Sequence, residues 1–167
     1  MSHENLRKLV LTALFTALCT VMTLVIQVPS PMNGYVNLGD CGVLLSAWIL
    51  GPWYGGAAAG IGSMLADIFS GYAHYAPGTL AIKLSMAVLA GLAHQKLPHK
   101  PAAKLLGGLG AECVMVAGYF GYASLLLGKG LGAAASIPGN MVQGVFSLAA
   151  ALVLTAALDR SKALSRL

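Results

Sequence analysis

Residues 9–28 read LVLTALFTALCTVMTLVIQV, an apolar run that contains no charged side chain. A helix rises about 1.5 Å per residue, so a run of this length crosses the roughly 30 Å hydrocarbon core of a bilayer. Arg7 and Lys8 precede the run, and Pro29 follows it where a helix would stop. The run is too long for the core of a signal peptide and lacks a cleavage-like exit. It therefore predicts a first transmembrane helix.

The composition extends this prediction to the whole chain. Of the 167 residues, 57% are hydrophobic and only 9% are charged, and the mean hydropathy is +0.78. About a quarter of the residues in a soluble domain are charged, so this chain could not cover a water-facing surface. Its 21 glycines suit helices that pack closely in lipid. We expect an all-α integral membrane protein with a single membrane domain, residues 1–167.

Glycine, proline and charged residues separate the further apolar runs. Gly51-Pro52 divides one stretch in two, which predicts a tight helical hairpin that either spans the bilayer or re-enters it. Pro77 and Pro138 stand where helices would begin, because the missing N–H of proline has no intrahelical partner there. The predicted fold is a compact bundle of about six transmembrane helices, over residues 9–28, 40–50, 54–69, 78–94, 105–127 and 138–158.

Lysine and arginine predict the orientation of the bundle in the membrane. Eight of these ten residues lie in the N-terminal flank, in the link 95–104, or in the tail from Arg160 onwards. Cytoplasmic loops carry such an excess of positive charge. We therefore expect both termini and the link in the cytoplasm, in a multi-pass protein of the plasma membrane. The segments 29–39, 70–76 and 128–137 would face outward.

Several classes of function find no support in the sequence. The positive charge forms no basic stripe with interleaved aromatic residues, so no nucleic acid is expected as a partner. Cys19, Cys41 and Cys113 are too widely spaced to indicate a disulfide framework or a metal site. Residues 128–130 lack the rest of a phosphate-binding loop, and no pair of nucleophile and base is evident. We therefore predict no catalytic residue, no metal and no cofactor, and we expect that the protein is not an enzyme.

Four charged residues interrupt the apolar spans. Each costs roughly 2.5–3.5 kcal/mol on insertion, so each needs a partner or a purpose. Asp40, Asp67 and Lys83 are expected at one depth in the outer half of the bundle. Glu112 is expected deeper in the bilayer than these three residues, about two helical turns from the cytoplasmic end of its helix. Lys83 would contact a ligand or be neutralised by Asp67, so the set predicts a polar pocket, a structural ion pair that fixes helix register, or both.

Amides and aromatic rings near the outer ends of the helices suit a flat polar ligand. Asn140 and Gln143 share one helical face, although such side chains also join neighbouring helices. Loop aromatics, including Tyr35, also serve as anchors at a membrane interface. Asn33 is a further candidate in the same outer loop. The predicted substrate-binding residues are Asn37, Asp40, Tyr72, His74, Tyr75, Lys83, Glu112, Tyr119, Asn140 and Gln143.

One block of motifs is specific enough to suggest a family. Residues 37–40 read NLGD, residues 51–62 read GPWYGGAAAGIG, and residues 71–79 read GYAHYAPGT and run on to Ile82-Lys83. With the chain length and the helix pattern, these motifs resemble the S component, the substrate-binding subunit, of an energy-coupling-factor (ECF) vitamin importer. The branch that they resemble most includes the hydroxymethylpyrimidine (thiamine-precursor) subunits.

The resemblance implies a subunit that captures a vitamin or vitamin precursor at its outer face, with the loop after helix one as a lid. Such a subunit topples within the membrane as it docks on a transmembrane coupling (T) subunit that bears two ATPase subunits. The docking motif of the family, two alanines four residues apart, matches Ala13 and Ala17. The implied pocket uses the outer loops and the outer ends of helices four to six. ATP hydrolysis is expected on the partner subunits.

Two other functions fit the same residues. A stand-alone proton-coupled secondary transporter would use Asp67, Lys83 and Glu112 as a relay. A non-transporting membrane scaffold would use its buried charges for structure alone. Uptake by the isolated chain would indicate the transporter, and a lack of saturable ligand binding would indicate the scaffold.

Overall fold

A computed structural model describes residues 3–30, 34–97 and 102–161, and these residues are mostly helical. Asn33, Lys100, Lys162 and Arg166 lie outside the described residues. The elements are α1 (His3–Val25), β1 (Gln27–Ser30), β2 (Gly34–Asn37), α2 (Gly39–Phe69), α3 (Ala76–Lys96), α4 (Ala102–Gly121) and α5 (Ile137–Arg160). A π-helical turn, Tyr122–Leu126, continues α4, and a 3₁₀ helix, Gly130–Ser136, leads into α5.

Within the described part of the chain, four helical stretches are long and apolar enough to cross a membrane. They are His3–Val25, Ala76–Lys96, Ala102–Leu126 and Gly130–Arg160. These stretches correspond to the first, fourth, fifth and sixth helices predicted from the sequence, each with shifted ends. The chain therefore has the helical, multi-span character that its hydropathy predicts.

The predicted second and third helices form two arms of one element, α2, so the described residues contain five α-helices rather than six. The interruption falls at Gly51, where φ is 82° and ψ is 177°, a conformation that only glycine adopts readily. Pro52 follows and supplies no N–H to the helical ladder. The two arms fold against each other. The hydroxyl of Ser46 in the first arm lies 3.1 Å from the carbonyl oxygen of Gly55 in the second arm and donates to it. Gly51-Pro52 thus bends the chain where the sequence predicts a hairpin.

The first arm of α2 lies at the centre of the bundle. Every residue from Gly39 to Trp48 is buried, as expected for a helix enclosed on all sides. Helices α1, α3 and α5 pack against α2. On the outer face of α1, large apolar side chains such as Leu14 and Val21 stay exposed, and lipid tails are as apolar as these side chains. The exposed apolar surface is therefore consistent with a membrane setting.

A short antiparallel hairpin replaces the end predicted for helix one. That helix was expected to reach Val28, but α1 ends at Val25 and Gln27–Ser30 pairs with Gly34–Asn37. Pro29 fits there because a two-stranded ribbon has open edges where no N–H is needed. The hairpin contacts α1 and α5, so it packs over one end of the bundle.

The connections separate into two ends of the molecule. The loop end contains the hairpin, the turn after α2 and the segment between α4 and α5; the rings of Tyr35 and Tyr72 meet there, with centroids 4.8 Å apart. The kink end contains the bend in α2, the start of α4 and the end of α5. There Lys104 bonds to Asp159 at 3.2 Å and lies 5.9 Å from the ring centroid of Trp48. Which end faces the cytoplasm stays a prediction.

Helices α1 and α2 approach closely at Gly62. The hydroxyl of Thr20 donates to the carbonyl oxygen of Gly62 at 2.9 Å. A Cβ added at Gly62 would lie 2.5 Å from the carbonyl oxygen of Thr16. Only a residue without a side chain allows two helix backbones to come this close.

We expect Gly62→Ala to lower the unfolding temperature of the detergent-solubilised protein by several degrees. The added methyl group meets helix backbone, and overpacking of this kind costs about 1–3 kcal/mol. Thermal denaturation measures the change. Gly121→Ala is the matched control, since a Cβ there meets nothing within 4 Å. Equal unfolding temperatures for the two variants would contradict the close approach of α1 and α2.

Candidate functional site

A polar pocket lies at the loop end, between the hairpin and helices α1 to α5. Every residue of its lining carries a hydroxyl, amide, carboxyl or ammonium group, and polar groups inside an apolar bundle commonly mark a functional site. The lining residues are Thr23, Ser30, Tyr35, Asn37, Ser63, Asp67, Tyr75, Thr79, Lys83, Tyr119, Ser136, Asn140 and Gln143.

The carboxylate of Asp40 ties the elements around this pocket together. Asp40 lies in the first turn of α2 with no exposed surface, and it forms a salt bridge with Lys83 of α3, which is also buried. The amide of Gln143 in α5 donates to Asp40 Oδ2 at 2.6 Å. The backbone N–H of Asn37 in β2 donates to Gln143 Oε1 at 2.8 Å. One buried charge thus joins α2, α3, α5 and the hairpin.

Lys83 pairs with Asp40 and not with Asp67, the partner predicted from the sequence. The carboxyl of Asp67 is reached from the hairpin instead: the hydroxyl of Tyr35 donates to Asp67 Oδ1 at 2.6 Å. Burial, helped by the charge of Asp67, raises the pKa of the Tyr35 phenol well above its ordinary value. Tyr35 therefore keeps its proton and acts as a donor.

Aromatic rings form a connected chain beside the pocket. The ring of Tyr72 lies 4.8 Å from that of Tyr35 and 6.2 Å from that of His74. The chain continues from His74 to Tyr75 at 4.7 Å and from Tyr75 to Tyr119 at 6.3 Å. Such rings offer flat surfaces on which a heterocycle can stack.

The structure brings six of the ten predicted binding residues into the lining of the pocket: Asn37, Tyr75, Lys83, Tyr119, Asn140 and Gln143. Asp40 lies behind Lys83, and Tyr72 and His74 belong to the aromatic chain. Glu112 is buried, and a Cβ at Gly144 would lie 3.0 Å from its carboxyl. Within the part of the chain that the structure describes, neither oxygen of Glu112 has a hydrogen-bond partner. Direct contact of any of the ten with a ligand stays a prediction.

Small hydroxyl residues of the lining were missed from the sequence. They are Thr23, Ser30, Ser63, Thr79 and Ser136. Two of them stand one helical turn before a charged residue, Ser63 before Asp67 and Thr79 before Lys83, so each pair shares a helix face. This spacing could have identified those two. No local pattern identifies the others, because serine and threonine are common in apolar helices and loops.

The comparisons with known proteins agree with this architecture. A family model for the ECF-type riboflavin transporter S component matches residues 3–160. The chain belongs to this family. A solved structure titled as the S component of a bacterial ECF transporter matches with a TM-score of 0.76 at 21% identity, over 93% of this chain and 97% of that chain.

Two relatives are similar in sequence. The thiamine precursor transporter HmpT of Lactococcus lactis subsp. cremoris (strain MG1363) is 29% identical over 163 residues, which is 96% of this S component and 93% of that protein. A Pyrococcus woesei protein described as an uncharacterized protein in a gap 3′ region is 40% identical over 127 residues, 75% and 84% of the two chains. The resemblance predicted from the motifs is thus confirmed. This S component is a multi-pass membrane transport protein and not an enzyme.

We expect Lys83→Met to lower the free energy of unfolding by about 3–5 kcal/mol, because it leaves Asp40 as an unpaired buried charge. Adding Asp40→Asn should recover part of this loss, since the amide is neutral and still accepts the hydrogen bond of Gln143. Thermal denaturation in detergent compares the single and double variants. Ser85→Ala, on the exposed face of α3, is the control. A double variant that is less stable than Lys83→Met would contradict the pairing.

Proposed function

We propose that this S component captures a vitamin or vitamin precursor in the loop-end pocket for ATP-driven import, with hydroxymethylpyrimidine as the best candidate. The observation that carries the proposal is the pocket itself, where polar side chains from the helices and the hairpin converge beside a chain of aromatic rings. Aromatic faces bind the plane of a heterocycle, and amides and hydroxyls pair with its edge.

The named relatives support a small choice of ligands. HmpT, named as a thiamine precursor transporter, aligns along nearly the whole chain, which favours a pyrimidine. The family model carries the name of riboflavin, which makes a flavin the main alternative. Both are flat nitrogen heterocycles with hydrogen-bonding edges, so the same kind of lining suits either one.

The charge of Lys83 also bears on whether the ligand is charged or neutral. Its charge is neutralised by Asp40, and its ammonium lies 5.2 Å from the ring centroid of Tyr119. The pocket therefore needs no anionic ligand to compensate that lysine. Asn140 lines the pocket from α5, and its amide offers both a donor and an acceptor to a neutral ring.

We expect the chain, purified in detergent without partners, to bind one member of a panel of hydroxymethylpyrimidine, thiamine and riboflavin saturably in titration calorimetry. Native mass spectrometry of the purified protein identifies any ligand that co-purifies. Asn140→Ala should weaken binding about tenfold, because an edge contact is lost. Met141→Ala is the control, since this neighbour is 57% exposed on the outer side of α5. Failure of the whole panel to bind would contradict the proposal.

We further propose that a T subunit and two ATPase subunits are the partners, and that Ala13 and Ala17 form the docking surface. Both alanines are exposed on α1, one turn apart. Small residues at this spacing let a second helix approach closely in the membrane. The exposed face of α1 is therefore open to a partner helix.

Replacing Ala13 and Ala17 together with tryptophan should abolish co-purification with the coupling subunits and ATP-dependent uptake. The bulky rings would hold a partner helix away, while ligand affinity should stay unchanged because the pocket lies elsewhere. Ala149→Trp, at an exposed position of α5, is the matched control. Normal uptake by the double variant would exclude this docking surface.

A stand-alone proton-coupled transporter is the second candidate, and Glu112 favours it. This carboxyl is buried and has no hydrogen-bond partner among residues 3–30, 34–97 and 102–161. Buried acidic groups of this kind serve in proton relays. Uptake into vesicles that contain this chain alone, driven by a proton gradient and lost in Glu112→Gln, would favour this candidate over the ATP-driven one.

A further inference from the structure

Two polar atoms of the pocket lack a partner anywhere in the described part of the chain. They are Oγ of Ser63 and Oδ2 of Asp67, whose residues are only 1% and 4% exposed. Buried polar groups are nearly always hydrogen-bonded in folded proteins, so each exception needs an explanation. Two such atoms in the lining of one pocket suggest that a bound molecule supplies the missing partners.

Ser63 and Asp67 act from the same place in the fold. They lie four residues apart in the second arm of α2, which puts them on one helix face, and both line the pocket. The other oxygen of Asp67 is already used, since it accepts the proton of Tyr35 at 2.6 Å. That bond fixes the carboxyl group in place, with its second oxygen left to accept.

Other donors that line the pocket are engaged with different partners. The ammonium of Lys83 is paired with Asp40. The hydroxyls of Thr79 and Tyr119 lie 3.0 Å apart, and either one can donate to the other. Asp67 Oδ2 and Ser63 Oγ, by contrast, have no hydrogen-bond partner among the residues that the structure describes.

We infer that Ser63 and Asp67 are the residues that recognise an N–H edge of the ligand. The carboxyl of Asp67 accepts from Tyr35 at Oδ1, so its Oδ2 can accept a hydrogen bond from a ligand, and the hydroxyl of Ser63 can donate to a neighbouring acceptor. The ligand class is a nitrogen heterocycle with an N–H group beside an acceptor atom. This inference rests on the proposed function and adds the ligand chemistry and the residues that read it.

This pair also explains how the pocket would select among similar rings. A ring in which a methyl group replaces an amino group has nearly the same size but does not supply a donor to Asp67 Oδ2. Sites built to bond a polar group reject analogues that lack it far more strongly than apolar sites reject a change of one methylene. Selection would therefore depend on the donor and not on the size of the ring.

The test uses two pairs of compounds that differ in the donor. One pair is 4-amino-5-hydroxymethyl-2-methylpyrimidine and its analogue with a methyl group in place of the amino group; the other is riboflavin and 3-deazariboflavin, in which a C–H group replaces the N3–H group. Titration calorimetry on the full chain measures the affinity ratio within each pair. For the pair that binds, we expect the wild type to favour the compound with the donor at least about tenfold.

Asp67→Leu should bring this ratio close to one, because it removes the acceptor. Asp67→Ala is the second variant if the leucine variant does not fold, as judged by thermal denaturation. Ser63→Ala should weaken the binding of both compounds of the pair and leave their affinity ratio unchanged, since both compounds carry the neighbouring acceptor. Ile68→Leu is the control, because this neighbour of Asp67 is 46% exposed and does not line the pocket, so both the affinities and the ratio should stay unchanged.

The outcomes separate this inference from the proposed function. A wild-type ratio near one, or an unchanged ratio in a folded Asp67 variant, would overturn the role of Asp67 while ligand capture still stands. Absence of saturable binding of all four compounds to the wild type would overturn both.

Discussion

The neutralisation of Asp40 is the interaction on which the loop end of this S component depends. Water is absent from the centre of a bilayer bundle, so a buried carboxylate must find both its counter-charge and its hydrogen bonds within the protein. Lys83 supplies the charge and Gln143 a hydrogen bond, and Gln143 in turn accepts from the backbone of Asn37. This one group therefore links α2, α3, α5 and the hairpin.

The polar residues of the pocket divide into those that bond to one another and those that keep an atom without a partner among the described residues. Asp40 bonds to both Lys83 and Gln143, so these three residues hold the pocket in shape. Ser63 and Asp67 each keep an atom without a partner among the described residues. A rigid satisfied framework beside a few unsatisfied groups is what a selective binding site requires, because the framework cannot rearrange to fill the gaps.

Much of the fold could be predicted from local pattern. Of the six helices predicted from the apolar runs, four correspond to described stretches that are able to span a membrane, and Gly51-Pro52 predicted the bend. The hairpin was missed because strands of four residues, one of them with Pro29, carry too little periodicity to be recognised. The number of helices differed because a bend with a non-helical Gly51 can be read either as two helices or as one interrupted helix.

The sequence by itself determined the membrane class, the breaks between helices and, through its motifs, the family. Hydropathy, glycine and proline act over short stretches of chain, so these features can be read locally. Only the tertiary structure decided that Lys83 pairs with Asp40, that Tyr35 bonds to Asp67, and that Asp67 Oδ2 has no partner among the described residues. The physical reason is distance along the chain: Gln143 and Asp40 are 103 residues apart, and only the packing of the helices brings their side chains together.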